Sequence, residues 1–162
     1  MTDTPLTDTS NKQHERSLHL VDVENLLQNP FCEDVGYIKM TISDYKIASG
    51  WQVGDQVLVA ANRWLCKTLA FSLQTWNCRL FTAEGPDGAD LRLLKEGSQE
   101  KFLARFDQLV IGSGDGIFAD VLTLGRKLGL KSVTVSQSSS LSAKLAAVSD
   151  EVRMITEQPS AA

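Results

Sequence analysis

The fold is decided by residues 108–128, QLVIGSGDGIFADVLTLGRKL, in which an apolar strand runs through a glycine-rich turn into a helix. Residues 108–112 have the apolar character of a buried strand. Residues 116–128 carry one apolar stripe at helical spacing, made of Phe118, Val121, Leu122, Gly125 and Leu128. A second apolar strand pattern follows at residues 131–135. Such a strand–helix–strand unit is typical of a parallel sheet covered by helices on both faces.

The same alternation of strands and helices runs through the rest of the chain. Further strands are predicted at residues 18–23, 56–60, 78–82 and 151–155. Helices are predicted at residues 41–49, 63–75, 89–95, 99–106 and 140–148. Right-handed crossovers between parallel strands then give a three-layer α/β/α sandwich with a mainly parallel, Rossmann-like sheet.

Length and composition indicate one ordinary globular domain. A chain of 162 residues is long enough to bury a sizeable core. The predicted domain covers residues 17–156, and the polar segments 1–16 and 157–162 are expected to be disordered tails. Neither a secretory signal nor a bilayer-length apolar run is visible, so we expect a cytoplasmic protein without membrane association. Three cysteines without nearby histidines predict reduced thiols, at Cys32, Cys66 and Cys78.

The net charge of the chain argues against nonspecific electrostatic binding to nucleic acid. A formal net charge of −4 and an isoelectric point near 5.1 argue against nonspecific coating of nucleic acid, which requires clustered Lys and Arg. Catalysis on RNA stays open, because a bound metal ion supplies positive charge locally. Two histidines, His14 and His19, are too few and unsuitably placed for a histidine-based nuclease.

Polar residues stand where the predicted strands end, the region in which parallel α/β sheets bind ligands. These residues are Asp22, Asn62, Asp115 and Ser136. Asn25 lies three residues after Asp22, across a strand-to-helix turn, and can face the same crevice; Glu24 is expected to point away from it. Asp90 opens a predicted helix after a Gly-Pro turn. The pattern therefore brings several oxygen donors to one edge of the sheet.

Each acid also has a local structural explanation. Asp22, Asn25 and Asp115 are good helix caps, and an anion in the first helical turn, such as Asp90, is favoured by the helix dipole. Taken together, Asp22, Asp90 and Asp115 form a set of oxygen ligands suited to Mg²⁺ or Mn²⁺. The glycine-rich turn at residues 112–116 is neither a Walker A loop nor a complete dinucleotide-binding motif.

Five segments in a fixed order carry a family resemblance. They are LVDVENL at 20–26, GADLRLL at 88–94, VIGSGDGIF at 110–118, KSVTVS at 131–136 and SSSLSAKLAAVSDEVRMI at 138–155. This order resembles the NYN domain, a relative of the PIN-domain nucleases, over roughly residues 17–156. The resemblance implies a PIN-like α/β/α sandwich and metal-dependent ribonuclease activity. It assigns the site to Asp22, Asn25, Asp90 and Asp115.

The chain departs from that family at one position. Typical members have a second acid two residues after the one that matches Asp115, and this chain has Ile117 there. The next acid is Asp120, about 4.5 Å further along a helix axis and rotated by about 60°. Asp120 either replaces part of the missing metal ligand, through a water, or is an ordinary solvent-facing acid.

Three functions follow from these observations. In the first, a Mg²⁺- or Mn²⁺-dependent ribonuclease, Asp22, Asp90 and Asp115 bind metal and Asn25 orients a ligand or water. Ser113 would place the phosphate, and Arg63 and Lys95 would hold the RNA backbone.

The second candidate function is a noncatalytic RNA- or nucleotide-binding module, favoured by Ile117 and the low isoelectric point. The third is a phosphatase similar to the haloacid dehalogenases, suggested by residues 114–116, although the first strand has an imperfect nucleophile motif.

Overall fold

The computed structural model describes residues 15–74 and 76–155. The strands are β1 (Ser17–Asp22), β2 (Gln56–Ala61), β3 (Cys78–Thr82), β4 (Gln108–Gly112), β5 (Lys131–Ser136) and β6 (Glu151–Met154). The helices are α1 (Val23–Leu27), α2 (Val35–Ser49), α3 (Arg63–Ser72), α4 (Gly88–Gly97), α5 (Glu100–Leu103), α6 (Ala119–Lys127) and α7 (Ala143–Ala147). Most of the predicted tail residues, 1–14 and 157–162, lie outside the described part of the chain.

All strand pairs of the sheet are parallel, in the order β3-β2-β1-β4-β5-β6. Helices cover both faces, so the predicted three-layer α/β/α sandwich is confirmed. None of the helices in the described ranges is both long enough and apolar enough to cross a membrane.

The two cores arise from alternation along the strands. In β2, Val57 and Val59 pack with α1, α2 and α3 on one face, whereas Leu58 and Ala60 pack on the other face, with α4 to α7. Because successive side chains of a strand point to opposite faces, a continuous apolar strand fills both cores at once. The carboxyl ends of β1, β2 and β4 are thereby held at one edge of the sheet.

Helix α2 differs from the sequence prediction at its amino-terminal end. Helix α2 begins at Val35, six residues before the predicted start, because the Asp34 carboxylate accepts a hydrogen bond from the Tyr37 amide at 3.0 Å. It ends as predicted at Gly50, whose φ of 66° suits glycine. Helix α1 follows β1 at the predicted strand-to-helix turn; it has five residues and continues the apolar sequence of β1 directly.

Helix α7 begins three residues after the start of the predicted helix 140–148, because a tertiary contact intervenes. A 3₁₀ turn at Ser138–Ser140 precedes the short helix α7. Between them, the Ser142 amide donates to the Gly114 carbonyl at 2.8 Å. The chain therefore leaves helical geometry to pair with the glycine-rich turn after β4. Similarly, Gly116–Phe118 form a 3₁₀ turn before α6 instead of its first helical turn.

Candidate functional site

An acidic cavity of about 220 Å³ lies at the carboxyl edge of the sheet. It is lined by Asp22, Glu24, Asn25, Pro30, Pro86, Asp87, Ala89, Asp90 and Asp115. Strands β1 and β4 are neighbours, with Val21 opposite Gly112, so the residues after both strands reach the same level. Helix α4 contacts β1 and β2 and supplies Asp90 from its first turn. The four predicted residues Asp22, Asn25, Asp90 and Asp115 thus line one cavity.

A hydrogen-bond network fixes the turn that carries Asp115. The Asn25 side-chain oxygen accepts from the Gly114 amide at 2.8 Å, which ties the start of α1 to the turn after β4. The Asp115 carboxylate in turn accepts from the Ile117 amide at 3.0 Å. Asn25 therefore positions the Asp115 loop, and its oxygen is already engaged by protein.

Ser113 lies beneath the cavity and is fully buried. Its hydroxyl donates to Asp22 Oδ2 at 3.3 Å and accepts from the Asp115 amide at 3.2 Å. Ser113 therefore links Asp22 to the backbone of Asp115, and its predicted contact with a phosphate stays a prediction.

Crowding of carboxylates determines the electrostatics of the cavity. Burial is the first cause that raises the pKa of Asp90, to about 10; its hydrogen bond to Asp22 and the charges of Asp22 and Asp115 add to it. Burial also raises the pKa of Asp22, although hydrogen bonds from Asp90, the Asn25 amide and Ser113 oppose the rise. Asp90 is therefore protonated at neutral pH, and its carboxyl O–H donates a hydrogen bond to the Asp22 carboxylate.

Two further acids line the cavity beside the predicted ones. The expectation that Glu24 points away is wrong: Glu24 lines the cavity, and its carboxylate accepts from the Asn62 amide at 2.8 Å. Burial raises the pKa of Glu24 as well. Asp87 lines the cavity from the residue before α4. The Gly-Pro turn before Asp87 was the sequence feature that could have identified it.

Besides Ser113, three predicted residues do not line the acidic cavity. Lys95 lies in the last turn of α4, about 7.5 Å along the axis from Asp90, and is exposed. Asp120 is an exposed residue of the first turn of α6, which favours the interpretation of a solvent-facing acid. Arg63 lines a neighbouring cavity, together with Phe31, Asn62, Trp64, Lys67 and Glu84.

The residue types that line the cavity suit a Mg²⁺ or Mn²⁺ ion, but their arrangement does not form a complete metal site. Carboxylate and amide oxygens are the ligands that Mg²⁺ and Mn²⁺ prefer. However, no group of three or more His, Cys, Asp or Glu side chains within residues 15–74 and 76–155 is arranged to hold a metal ion. Mg²⁺ is commonly bound by one or two carboxylates, with waters and substrate phosphates completing its shell. The residues fit such an open site and do not form an all-protein cage.

Comparisons with known proteins bear on the fold alone. No protein-family model matches the chain, and no curated protein matches its sequence. The crystal structure of a protein of unknown function from Vibrio parahaemolyticus is similar, with a TM-score of 0.61 and 13% sequence identity. The similarity covers 90% of this chain and 96% of that chain. At this identity it supports the α/β architecture of the whole described domain.

Proposed function

We propose that the protein is a Mg²⁺- or Mn²⁺-dependent ribonuclease with a site of the NYN type. One observation carries the proposal: Asp22, Asp90 and Asp115, from three separate segments of the chain, line a single cavity at the carboxyl edge of the sheet. Their order along the chain is also the order of the NYN-like motifs. The similarity of the whole fold to a structure of unknown function adds nothing about activity.

The crowding of acidic side chains in the cavity favours the binding of a cation. Bringing like charges together in a buried place is unfavourable unless a proton or a cation compensates them. Asp90 holds such a proton, as the direction of its pKa indicates. A divalent cation binds carboxylates in their ionised form and therefore releases that proton. Binding of a metal ion at this site would therefore displace the proton of Asp90.

In this mechanism the residues of the chain have distinct roles. Asp22 and Asp90 would hold the cation, and Asp115, on the turn after β4, would contribute a further carboxylate. Asn25 and Ser113 keep Asp115 and Asp22 in place through the hydrogen bonds described above. When bound, the metal ion activates a water and stabilises the charge on the leaving oxygen. The net reaction would be hydrolysis: the water oxygen bonds to phosphorus, the bond between phosphorus and the leaving ribose oxygen breaks, and one proton of the water ends on that ribose oxygen.

Substitution of the acids tests the proposal. Asp22→Asn and Asp115→Asn should each reduce Mn²⁺-dependent cleavage of a labelled RNA oligomer by about 100-fold or more, since even partners outside the metal's ligand shell are worth roughly 10–100-fold. Asp120→Asn is the matched control, because Asp120 is exposed and does not line the cavity. Cleavage that survives in chelator, or in both site variants, would refute the proposal.

A noncatalytic RNA- or nucleotide-binding module is the second candidate. It is favoured by the absence, among the described residues, of a preformed three-ligand metal group and by Ile117 at the position of a family acid. It predicts RNA binding that persists without metal, and no turnover. A binding titration with and without Mn²⁺, run beside the cleavage assay, separates the two candidates.

A further inference from the structure

A second cavity, of about 290 Å³, lies at the same edge of the sheet. We call it the aromatic cleft; its lining residues are Phe31, Asn62, Arg63, Trp64, Lys67 and Glu84. It is built from the amino-terminal turns of α3, the segment after α1 and the segment after β3. Nothing in the proposed hydrolysis uses it.

The cleft exposes two large aromatic side chains. Phe31 is 73% exposed and Trp64 is 52% exposed. Neither ring stacks on another ring or lies under a cation within the described part of the chain. Single apolar residues at a surface are common, but two aromatic rings that share one concave wall form a stacking surface.

The cleft also holds two available positive charges. Arg63 and Lys67 are four residues apart on α3 and therefore share one face of the helix. Among the described residues, neither side chain forms an ion pair. Glu84, the acid in the lining, accepts a hydrogen bond from the Arg63 backbone amide at 2.8 Å. Both cations remain free to bind an anionic ligand.

The aromatic cleft and the acidic cavity share a wall. Asn62 lines the cleft, and its backbone amide donates to the Glu24 carboxylate of the acidic cavity at 2.8 Å. The Asn62 side chain donates to the carbonyl of Pro30 at 2.6 Å. Pro30 lines the acidic cavity, and the next residue, Phe31, lines the cleft. The two cavities are therefore adjacent, separated by Pro30, Glu24 and Asn62.

We propose that the aromatic cleft binds an unpaired nucleotide of the RNA strand, next to the phosphate that is cut. Trp64 and Phe31 stack on the base, and Arg63 and Lys67 bind the flanking phosphates. This inference rests on the proposed function, because it is the proposed ribonuclease activity that makes RNA the expected ligand. It adds a substrate class, single-stranded RNA, because a base must leave its pair and its stack before a side chain can lie against its face.

Binding of a labelled oligouridylate, followed by fluorescence anisotropy in EDTA, tests the cleft without cleavage. Trp64→Ala should weaken binding by at least about fivefold, the lower end of the loss for one base stacked on an aromatic ring. Phe71→Ala is the matched control, because Phe71 is an exposed aromatic residue of the same helix and does not line the cleft. Thermal melting should show that both variants fold.

The salt dependence of binding tests the cationic side. Lys67→Gln should make the slope of log affinity against log salt concentration shallower by about 0.7, the value expected when the protein neutralises one phosphate fewer on a single strand. Lys127→Gln, at the far end of α6, should leave the slope unchanged.

The outcomes separate the cleft from the ribonuclease. The cleft is refuted if Trp64→Ala and Phe71→Ala bind equally well, if the unmodified protein does not bind oligouridylate, or if it binds a duplex of the same length as tightly. Intact Mn²⁺-dependent cleavage with any of these results would leave the ribonuclease standing. Binding that depends on Trp64, without cleavage by the unmodified protein, would refute the ribonuclease and retain the cleft.

Discussion

Asp90 shows how a proposed functional residue opposes stability. Burial and the neighbouring acids raise its pKa to about 10, so ionised Asp90 is unfavourable in the folded protein. An acid whose folded pKa is raised contributes its full stability below its ordinary pKa, near 4, and loses that contribution as pH rises toward the folded pKa. The free protein should therefore become less stable from about pH 4 to about pH 10 on account of this residue.

Asp90→Asn should remove that penalty. The amide has nearly the same shape and can still donate a hydrogen bond to Asp22, but it carries no charge at any pH. In EDTA at pH 8 we expect a gain of about 1 kcal/mol in the free energy of unfolding, or roughly 2–4 °C in Tm. Melting curves from pH 5 to 9 should show the gain growing with pH. A gain that is absent, or that shrinks as pH rises, would contradict the assignment.

At the scale of elements, the turn after β4 is held by the segment that follows β5. A Cβ on Gly114 would collide with the backbone oxygen of Ser140 and lie 2.6 Å from Ser136 Oγ. The Ser142 amide reaches the same turn, through its bond to the Gly114 carbonyl. The turn after β4 and the segment after β5 are therefore packed backbone to backbone, and this contact fixes the position of Asp115.

Gly114→Ala should displace the turn and Asp115 with it. Because the colliding atom belongs to the backbone, we expect a loss of about 1–3 kcal/mol in the free energy of unfolding, as for other overpacked sites. The affinity for Mn²⁺ should fall as well. Gly36→Ala is the control: the atom nearest its Cβ lies 3.3 Å away, and alanine favours the helix. Equal denaturant midpoints for the two variants would show that the backbone of Ser140 does not exclude a side chain at position 114.

At the scale of the whole molecule, the charge is unevenly placed. The chain has a net charge of −4, and five of its carboxylates line one cavity, from Asp22, Glu24, Asp87, Asp90 and Asp115. The cationic and aromatic side chains of the neighbouring cleft face the same edge of the sheet. An RNA strand that spans both would meet repulsion at the acidic end, so a divalent cation there should favour both folding and binding.

Mn²⁺ should therefore stabilise the folded protein. At a concentration about 100 times the Kd, one site contributes about 2.7 kcal/mol, or roughly 5–10 °C in Tm. The shift should reverse in EDTA and should disappear in Asp22→Asn but persist in Asp120→Asn. Scanning calorimetry with the three proteins measures it. A shift of equal size in all three would place the metal elsewhere.

Much of this architecture could be predicted from local patterns. Strands β3 and β4 have the predicted bounds. In β4 the reason is the apolar run from Leu109 to Ile111, which needs no distant partner to be recognised. The gathering of Asp22 and Asp115 was predictable as well, since parallel strands end at a common edge. The sequence by itself therefore determined the layers, the parallel sheet and three of the five acids that line its edge, whereas Glu24 and Asp87 were missed.

Only the tertiary structure decided how the residues of that edge are arranged. The Asn62 amide binds the Glu24 carboxylate at the rim of the cavity that Glu24 lines, and the contact of Gly114 with Ser142 delays the start of α7 to Ala143. The aromatic cleft exists because β2 lies beside β1, which sets the start of α3 next to Asp22. These features depend on groups far apart in the chain. Local propensity and periodicity carry no information about them, because strand order and backbone packing are settled only when the domain folds.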